Sequence, residues 1–198
     1  IHQKTIFEST VISVFSSYSQ AGKTVYALNL GLSINRETHK SAIILDIRPN
    51  DNMHSMPQRL GLKDNYKIFD LSGVLANLAV ATKDFIVKTA FGIDLLCINY
   101  QIEDESSVKK LLGILSLLIN DYHYIVLDLP SVMDQFVFSV LNQSDLIHIL
   151  TSPDPVDLKK THHLIDRLKT DFSFQEAKIK IVINEYKFSK INYQEQRV

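Results

Sequence analysis

The sequence predicts a doubly wound α/β fold, in which helices cover both faces of a mainly parallel sheet. Six short apolar runs recur along the chain, and most of them are apolar without interruption. Such runs are typical of strands that are buried on both faces of a sheet. Segments with helical spacing of apolar residues separate the runs, and this alternation favours parallel strands joined by crossover helices.

The predicted elements follow one another in a regular order. The strand-like runs span residues 11–17, 41–47, 93–99, 123–129, 145–151 and 178–184. Helical spacing is found in three sets of residues: Val25, Leu28 and Leu32; Val108, Leu111, Leu112, Leu115, Leu118 and Ile119; and Leu158, Thr161, Ile165 and Leu168. Ligands of doubly wound folds bind at the carboxyl ends of the strands, so we expect the functional residues there.

Composition limits the class of protein. Of the 198 residues, 45% are hydrophobic and 22% are charged, so we expect a single domain over residues 1–198. The net charge of −1 provides no general attraction to nucleic acid or to an anionic membrane. The single cysteine, Cys97, excludes an internal disulfide and favours a cytoplasmic setting.

Membrane attachment is not expected from this sequence. No apolar run reaches the roughly 18 residues that a spanning helix needs. The C-terminal segment 190–198 is too short and too polar for an amphipathic membrane helix. A membrane or a cell pole would therefore be reached through a partner or through segments outside this chain. The start at Ile1 rather than Met is consistent with a piece of a longer chain.

The first strand-like run leads into the loop "YSQAGKT", residues 18–24, and then into a helix. A Walker A phosphate-binding loop requires this order of elements. Backbone amides would surround phosphate oxygens, Lys23 would contact the outer phosphates, and the Thr24 hydroxyl would bind Mg²⁺. The standard pattern has a glycine at position 17, where this chain has Ser17, and only Gly22 remains. We therefore expect a nucleotide site that is weaker than a standard one or differently shaped. The alternative is that the tripeptide Gly-Lys-Thr occurs here by chance.

Two aspartates follow other strand-like runs. Asp128 ends the run "HYIVLD", at the position of a Walker B aspartate, which serves the metal ion together with Thr24. The alternative is an aspartate that starts a turn before Pro130. Asp46 ends the run "AIILD". Lys23, Thr24 and the two aspartates would thus converge from three strands, and this convergence is more specific than any one motif.

With these segments, the chain resembles the ParA/MinD superfamily of deviant Walker A ATPases over almost its whole length. The loop is similar to the family's K-G-G-x-G-K-T, "IILDIRPN" to its LLVDxDPQ segment, and "YHYIVLDLPS" to its YDYIIIDxPP segment. "KIVINEYK" is similar to a late strand whose asparagine, here Asn184, faces the adenine. The alternative for Asn184 is a polar residue that merely ends a strand.

The resemblance implies ATP or ADP as the ligand, with Mg²⁺. It implies Thr24 and Asp128 as the metal-binding residues. It also implies Lys23 and Asp46 as the catalytic residues, with Asp46 near the γ-phosphate. The implied nucleotide-binding residues are Tyr18, Ser19, Gln20, Ala21, Gly22, Lys23, Thr24, Val25 and Asn184.

Two departures from the family pattern concern mechanism. The family's lysine at the start of the loop, which reaches the nucleotide of a partner subunit, is Tyr18 here. The second aspartate of its D-x-D-P segment, which orients the attacking water, is Arg48. An arginine cannot accept a proton or align a water as a carboxylate does, although it can pair with a phosphate. We therefore expect slow hydrolysis at most. Similar changes occur among bacterial CpaE/TadZ-like members, which are polar localisation factors for pilus assembly.

Three functional hypotheses follow. The first is a ParA/MinD-like switch or localisation factor that works through nucleotide-linked homodimerisation or through a protein partner of a localisation, pilus or secretion system. The second is a pseudo-ATPase scaffold that binds no nucleotide. The third is an active partitioning or division-site positioning ATPase, which the near-neutral charge disfavours.

Nucleic acid is not an expected partner. Lys160, His163 and Arg167 share one face of a predicted helix, and ParA-type proteins bind DNA through basic surfaces. The neighbouring Asp157 and Asp166 favour an ordinary solvated helix face instead.

Overall fold

The strands form one mainly parallel sheet. A computed structural model of the protein describes residues 8–50, 53–73 and 78–184. Its strands are β1 (Thr10–Phe15), β2 (Ala42–Pro49), β3 (Ile68–Asp70), β4 (Val87–Lys88), β5 (Asp94–Tyr100), β6 (Tyr124–Asp128), β7 (Leu146–Thr151) and β8 (Ile179–Ile183). Its helices are α1 (Lys23–Thr38), α2 (Met56–Arg59), α3 (Leu78–Phe85), α4 (Glu105–Leu118), α5 (Gln135–Asn142) and α6 (Pro155–Thr170).

The strand order is β3-β5-β2-β6-β1-β7-β8, and neighbours in this order run parallel. The short β4 pairs antiparallel with the beginning of β5. The central neighbours β2, β6 and β1 are the three strands from which we expected the functional residues. The predicted α/β fold with a mainly parallel sheet is confirmed.

Each of the six predicted strands is present, and the difference that bears on the site lies in β2. This strand continues to Pro49 because its pairing with β5 continues, with Arg48 opposite Asn99. Asp46, which we expected to end the strand, therefore lies inside it. Asp128 is the last residue of β6, as predicted. The patterns above did not identify β3 and β4, which are only three and two residues long.

Two apolar cores lie on opposite faces of the sheet. One core packs the sheet against α4, α5 and α6, and the other packs it against α1 and α2. Ile44 and Val126 belong to the second core. Alternate residues of a strand point to opposite faces, so Asp46 and Asp128 lie on the same face as these two residues. The predicted site residues of β2 and β6 are therefore on the α1 side of the sheet.

Two of the three residues in the predicted stripe of α1, Leu28 and Leu32, are half-buried and pack against the second core. Val25 is 43% exposed, and the buried residues of this helix are Lys23, Ala27 and Gly31. The helix approaches β2 closely, since a Cβ added to Gly31 would lie 2.9 Å from Cδ1 of Ile44. Small residues therefore form the closest part of the contact, and leucines of α1 pack beside it. In the other two predicted stripes most residues are buried or half-buried, and the exceptions are Ile119 and Leu158.

The remaining predictions concern membranes. Within the described ranges, no helix combines the length and the apolar character that crossing a bilayer requires. The C-terminal segment 190–198 lies outside the described residues.

Candidate functional site

The loop between β1 and α1 leaves backbone amides free at the start of the helix. Gly22 precedes α1 with a φ of 85°, in the left-handed region that favours glycine. No side chain caps this helix, and none of the described residues accepts a hydrogen bond from the amides of residues 22–25. In contrast, α4, α5 and α6 are each preceded by an aspartate whose side chain accepts a hydrogen bond from an amide of the first turn. Uncapped amides at the positive end of the helix dipole suit an anion.

The Lys23 ammonium is buried beside this loop, and the residue is only 9% exposed. Its Nζ donates to Oγ of Ser16 at 3.1 Å and to Oγ of Ser131. Both serine hydroxyls also donate to the carbonyl of Tyr18, at 2.6 and 2.8 Å. Burial lowers the pKa of Lys23 to about 8, and Asp128 only partly opposes this effect. Hydroxyl groups do not neutralise the ammonium, so an anionic ligand would stabilise it.

The guanidinium of Arg48 lies among the oxygen atoms that we expected to serve a metal ion. Its Nη2 is 2.8 Å from Asp46 Oδ1, 3.1 Å from Thr24 Oγ1, and in contact with Asp128 Oδ2. Its Nη1 donates to the backbone carbonyls of Asp128, at 3.1 Å, and of Ile47, at 2.9 Å. The Thr24 hydroxyl donates to Asp128 Oδ2 at 2.7 Å. The Arg48 side chain is 11% exposed, and both aspartate side chains are fully buried.

Strand register explains this arrangement. Asp46 on β2 is directly opposite Asp128 on β6. Arg48 follows Asp46 by two residues, so its side chain lies on the same face of the sheet. Two adjacent buried carboxylates repel each other and lose hydration, and a cation between them offsets both costs.

The charges of these groups depend on one another. Burial raises the pKa of Asp128, and Asp46 acts in the same direction, whereas Arg48 and the Thr24 hydroxyl oppose the shift. Although burial disfavours its charge, Asp128 and Asp46 raise the pKa of the Arg48 guanidinium. Arg48 is therefore the group whose charge most opposes the effect of burial on Asp128.

The second oxygen of Asp46 contacts a histidine. His54 Nδ1 lies 3.0 Å from Asp46 Oδ2, and His54 Nε2 lies 2.7 Å from Asn99 Oδ1. Cys97 is close by, and one ligand atom from each of Asp46, His54 and Cys97 lies within 4.8 Å of the others. Burial raises the pKa of the Cys97 thiol, and Asp46 adds to the effect. Because a protonated thiol is a weak ligand, we interpret this group as a support that fixes Asp46.

Two cavities adjoin the loop and share Gln20 and Ala21. The first, of about 320 Å³, is lined by residues 20–25 together with Ser55 and Arg59. The second, of about 290 Å³, is lined by residues 18–21 and by Ser152, Asp157 and Asn184. An elongated ligand with an anionic end can therefore lie across the loop, with the anion at the uncapped amides of the first cavity.

Tyr18 and Asn184 both line the second cavity and connect the loop to neighbouring segments by hydrogen bonds. The Tyr18 hydroxyl accepts a hydrogen bond of 2.6 Å from the Ser152 amide, and Lys160 Nζ lies 5.6 Å from the Tyr18 ring. Asn184 Nδ2 donates to the Ala21 carbonyl at 3.0 Å. A Cβ at Gly22 would collide with the Asn184 amide. Close approach of Asn184 is therefore a second reason for glycine at position 22.

The donor set around Arg48 can be compared with the needs of Mg²⁺. Hydroxyl and carboxylate oxygens, such as those of Thr24, Asp46 and Asp128, are suitable ligands. Mg²⁺ requires near-octahedral geometry at about 2.0–2.1 Å from each oxygen. Arg48 Nη2 contacts all three groups and carries the positive charge at their centre. In this arrangement the residues do not fit a Mg²⁺ ion, and binding one through Thr24 and Asp128 would require Arg48 to move.

The basic residues of α6 line a third cavity, of about 320 Å³. Lys160, His163 and Arg167 contribute to it, together with apolar residues of β1 and α6. Lys160 pairs with Asp157 at 3.3 Å, so acidic neighbours partly offset this charge, as expected. Ser17 and Ser131 also line this cavity, which places it beside the loop.

The structure brings together most of the residues that the sequence indicated. Lys23, Thr24, Asp46 and Asp128 meet on one face of the sheet, and the loop residues and Asn184 line the two shared cavities. The sequence analysis missed several residues of the candidate site: Ser16, Ser131, His54, Arg59 and Ser152. Ser131 follows Pro130 in a segment that carried the resemblance, so its position was a usable signal. No local pattern distinguishes the others.

Comparisons with known proteins agree with the fold. No family model matches the sequence, and no curated protein is significantly similar to it. Among solved structures, the MinC:MinD cell division protein complex of Aquifex aeolicus matches with a TM-score of 0.70 and 20% identity, over 91% of this chain and 70% of that chain. A putative plasmid partition protein of Borrelia burgdorferi bound to AMPPNP matches with a TM-score of 0.69 and 17% identity, over 92% of this chain and 78% of that chain.

A third similar structure extends the range of functions that share this fold. The cobyrinic acid a,c-diamide synthase of Mycobacterium smegmatis with bound ADP and magnesium has a TM-score of 0.63 and 13% identity, over 87% of this chain and 72% of that chain. At such identities the likeness defines the fold. This chain therefore has the P-loop nucleotide triphosphatase fold. Within that class, its fold is the one that the MinD and plasmid-partition structures share.

Proposed function

We propose that this protein is a ParA/MinD-like nucleotide-binding protein, which binds ATP or ADP through residues 18–25 and acts as a switch or localisation factor. The observation that carries the proposal is that the buried Lys23 ammonium and four uncapped amides, those of residues 22–25, lie beside the same cavity. Each feature alone is costly without an anion, and a polyphosphate would satisfy both. The AMPPNP-bound and ADP-bound neighbours support a nucleotide as the ligand.

The two ends of the nucleotide would occupy the two cavities that have Gln20 and Ala21 in common. The phosphates would lie in the first cavity, where Arg59 supplies a second cation beside Lys23. The base would lie in the second cavity, whose polar groups include the Asn184 amide and the Ser152 hydroxyl. Gln20 and Ala21 would pass beneath the sugar and the first phosphate, since they line both cavities.

Hydrolysis would be weak or absent. Neither carboxylate oxygen of Asp46 is accessible to solvent, and both contact cationic or imidazole groups, Arg48 and His54. A carboxylate so enclosed cannot orient an attacking water. Asp46 would then position Arg48 rather than act as a catalytic residue. We expect a turnover below about 1 s⁻¹, the lower end of the ordinary enzyme range.

The protein would act through other proteins. It would form a homodimer and would bind a partner in a bacterial localisation, pilus or secretion system of the CpaE/TadZ kind. Both contacts would depend on the bound nucleotide. The protein would be cytoplasmic, with recruitment to a pole or membrane by the partner. Exposed apolar side chains that adjoin site residues along the chain, Val25, Met53 and Val132, support a protein contact on this part of the surface. The similar MinC:MinD structure is itself a complex with a second protein.

Calorimetric titration with ADP and with ATP tests this proposal. We expect saturable binding to the wild type, and a loss of at least about tenfold in affinity for Lys23→Met, because the phosphate loses its buried cation. Lys109→Met is the matched control, since Lys109 is an exposed lysine of α4 and should bind as the wild type does. Absence of heat at millimolar nucleotide would contradict nucleotide binding. Phosphate release at about 1 s⁻¹ or faster, abolished in Lys23→Met, would contradict weak hydrolysis.

The alternative function is a scaffold that binds no nucleotide. One observation favours it: Lys23, Thr24 and Asp128 already have protein partners, the serine hydroxyls and Arg48. For such a scaffold the titration would show no heat, and Lys23→Met would leave binding of a protein partner unchanged.

A further inference from the structure

We infer that the Arg48 guanidinium takes the place of the divalent cation in this site, so that the protein binds its nucleotide without Mg²⁺. The part of this inference that concerns nucleotide rests on the proposed function. The location of Arg48 at the cation position rests on geometry alone and can be tested without nucleotide.

The contacts of Nη2 are those of a central cation. It contacts oxygens from three different elements: Asp46 on β2, Asp128 on β6 and Thr24 on α1. Thr24 also lines the first cavity, and its hydroxyl accepts a hydrogen bond from Nη2. The charge that a metal ion would bring to this point is therefore already supplied by the chain.

The other guanidinium nitrogen holds Arg48 in place. Nη1 donates to two backbone carbonyls, those of Ile47 and Asp128, which belong to neighbouring central strands. An ion that displaced the guanidinium would have to break these bonds and both ion pairs. It would also leave a buried arginine with fewer partners, and such unpaired buried charges are strongly unfavourable. Exchange of Arg48 for Mg²⁺ is thus disfavoured by several contacts together.

Arg48 also balances the charge of the site. Asp46 and Asp128 are fully buried neighbours in the sheet, and Arg48 bridges them. If Arg48 were neutral, the two carboxylates would need another cation or a proton. A variant without the arginine should therefore gain a need for Mg²⁺, and this gain distinguishes a cation substitute from an ordinary structural arginine.

The first test compares the affinity of a fluorescent ADP analogue for the wild type with excess Mg²⁺ and with excess chelator. We expect the two dissociation constants to agree within about threefold, since Arg48 supplies the charge that an exchangeable ion would bring. A loss of about tenfold or more on chelation would overturn the inference, because it would show that a divalent ion contributes to binding.

Three variants sharpen this comparison. Arg48→Gln removes the charge, and its affinity should become at least about tenfold weaker when Mg²⁺ is chelated. Arg48→Lys retains a cation, and its affinity should remain independent of Mg²⁺. Arg36→Gln is the matched control, since Arg36 is a highly exposed arginine of α1. Equal Mg²⁺ dependence in Arg48→Gln and in the wild type would overturn the inference.

The second test needs no nucleotide. Thermal unfolding of the wild type should be unaffected by millimolar Mg²⁺, whereas Arg48→Gln should be stabilised by several degrees, because Mg²⁺ would bind its two free carboxylates. Stabilisation of the wild type by Mg²⁺ would overturn the inference. Because this measurement uses the wild type alone, it remains a test even if Arg48→Gln does not fold. If neither the wild type nor any of the variants binds nucleotide, the proposed function is wrong. The unfolding measurements then still test whether Arg48 occupies the position of the cation.

Discussion

At the scale of single residues, Lys23 shows how a residue of the candidate site reduces stability. Its ammonium is buried against two hydroxyl groups, and its pKa falls from 10.5 to about 8. A shift of this size corresponds to a cost of about 3 kcal/mol for holding the charge at neutral pH. The cost is removed when the lysine is deprotonated, replaced by an apolar residue, or paired with a phosphate.

We therefore predict that Lys23→Met stabilises the nucleotide-free protein by about 1–3 kcal/mol at neutral pH, although it would weaken the proposed nucleotide binding. Between pH 8 and 10.5 the unfolded chain holds the Lys23 proton and the folded chain releases it. The stability that this residue contributes to the wild type rises across this interval, so the advantage of the variant should shrink there. Urea unfolding at several pH values measures both effects.

Lys109→Met is the control for this experiment, because titration of other lysines and tyrosines changes the stability of every variant in the same pH range. The quantity of interest is the difference between the two variants. A Lys23→Met protein that is less stable than Lys109→Met at neutral pH would show that the buried ammonium is not a cost.

At the scale of elements, the contact between α1 and β2 determines where the loop lies. The helix can approach the strand closely because Gly31 has no side chain at the point where it meets Ile44. This approach brings Thr24, at the start of the same helix, within hydrogen-bond distance of Asp128 and Arg48. A change in helix packing should therefore affect the site as well as the core.

We predict that Gly31→Val costs about 2 kcal/mol of unfolding free energy, because its Cβ would lie within 2.9–3.0 Å of the Ile44 side chain and the core is already filled. Nucleotide affinity should fall as well, since the displaced helix carries Lys23 and Thr24. Ser33→Val places the same side chain on the exposed face of α1 and should change stability by less than about 0.5 kcal/mol. Equal stability of the two variants would contradict close packing at Gly31.

At the scale of the whole molecule, charge separates the proposed switch from a DNA-partitioning ATPase. The net charge is −1, and Lys160 of the basic α6 face is paired with Asp157. Binding to DNA without sequence preference depends on many lysine and arginine contacts with phosphates and weakens steeply with salt. This surface offers few such contacts.

We predict no retardation of duplex DNA by micromolar protein at roughly physiological salt, with or without ATP. A gel-shift assay measures this directly. A shift that depends on ATP and disappears in Lys160→Ala would contradict the prediction and would favour the partitioning hypothesis.

The sequence alone determined the class of fold and indicated the main residues of the candidate site. Apolar runs that alternate with helical spacing are local patterns, and a Gly-Lys-Thr after the first strand and an aspartate at the end of β6 follow from chain order. These features can be recognised because hydrophobic periodicity and strand–loop–helix order are properties of consecutive residues.

Only the tertiary structure decided which groups form the hydrogen bonds and ion pairs of these residues. Arg48 lies between Asp46 and Asp128 because β2 extends past Asp46 and pairs in register with β6, and neither fact is visible in a short segment. Ser131 reaches Lys23 across more than a hundred residues, for the same reason. The partners of a buried charge depend on which strands become neighbours, and packing of the whole chain determines that choice.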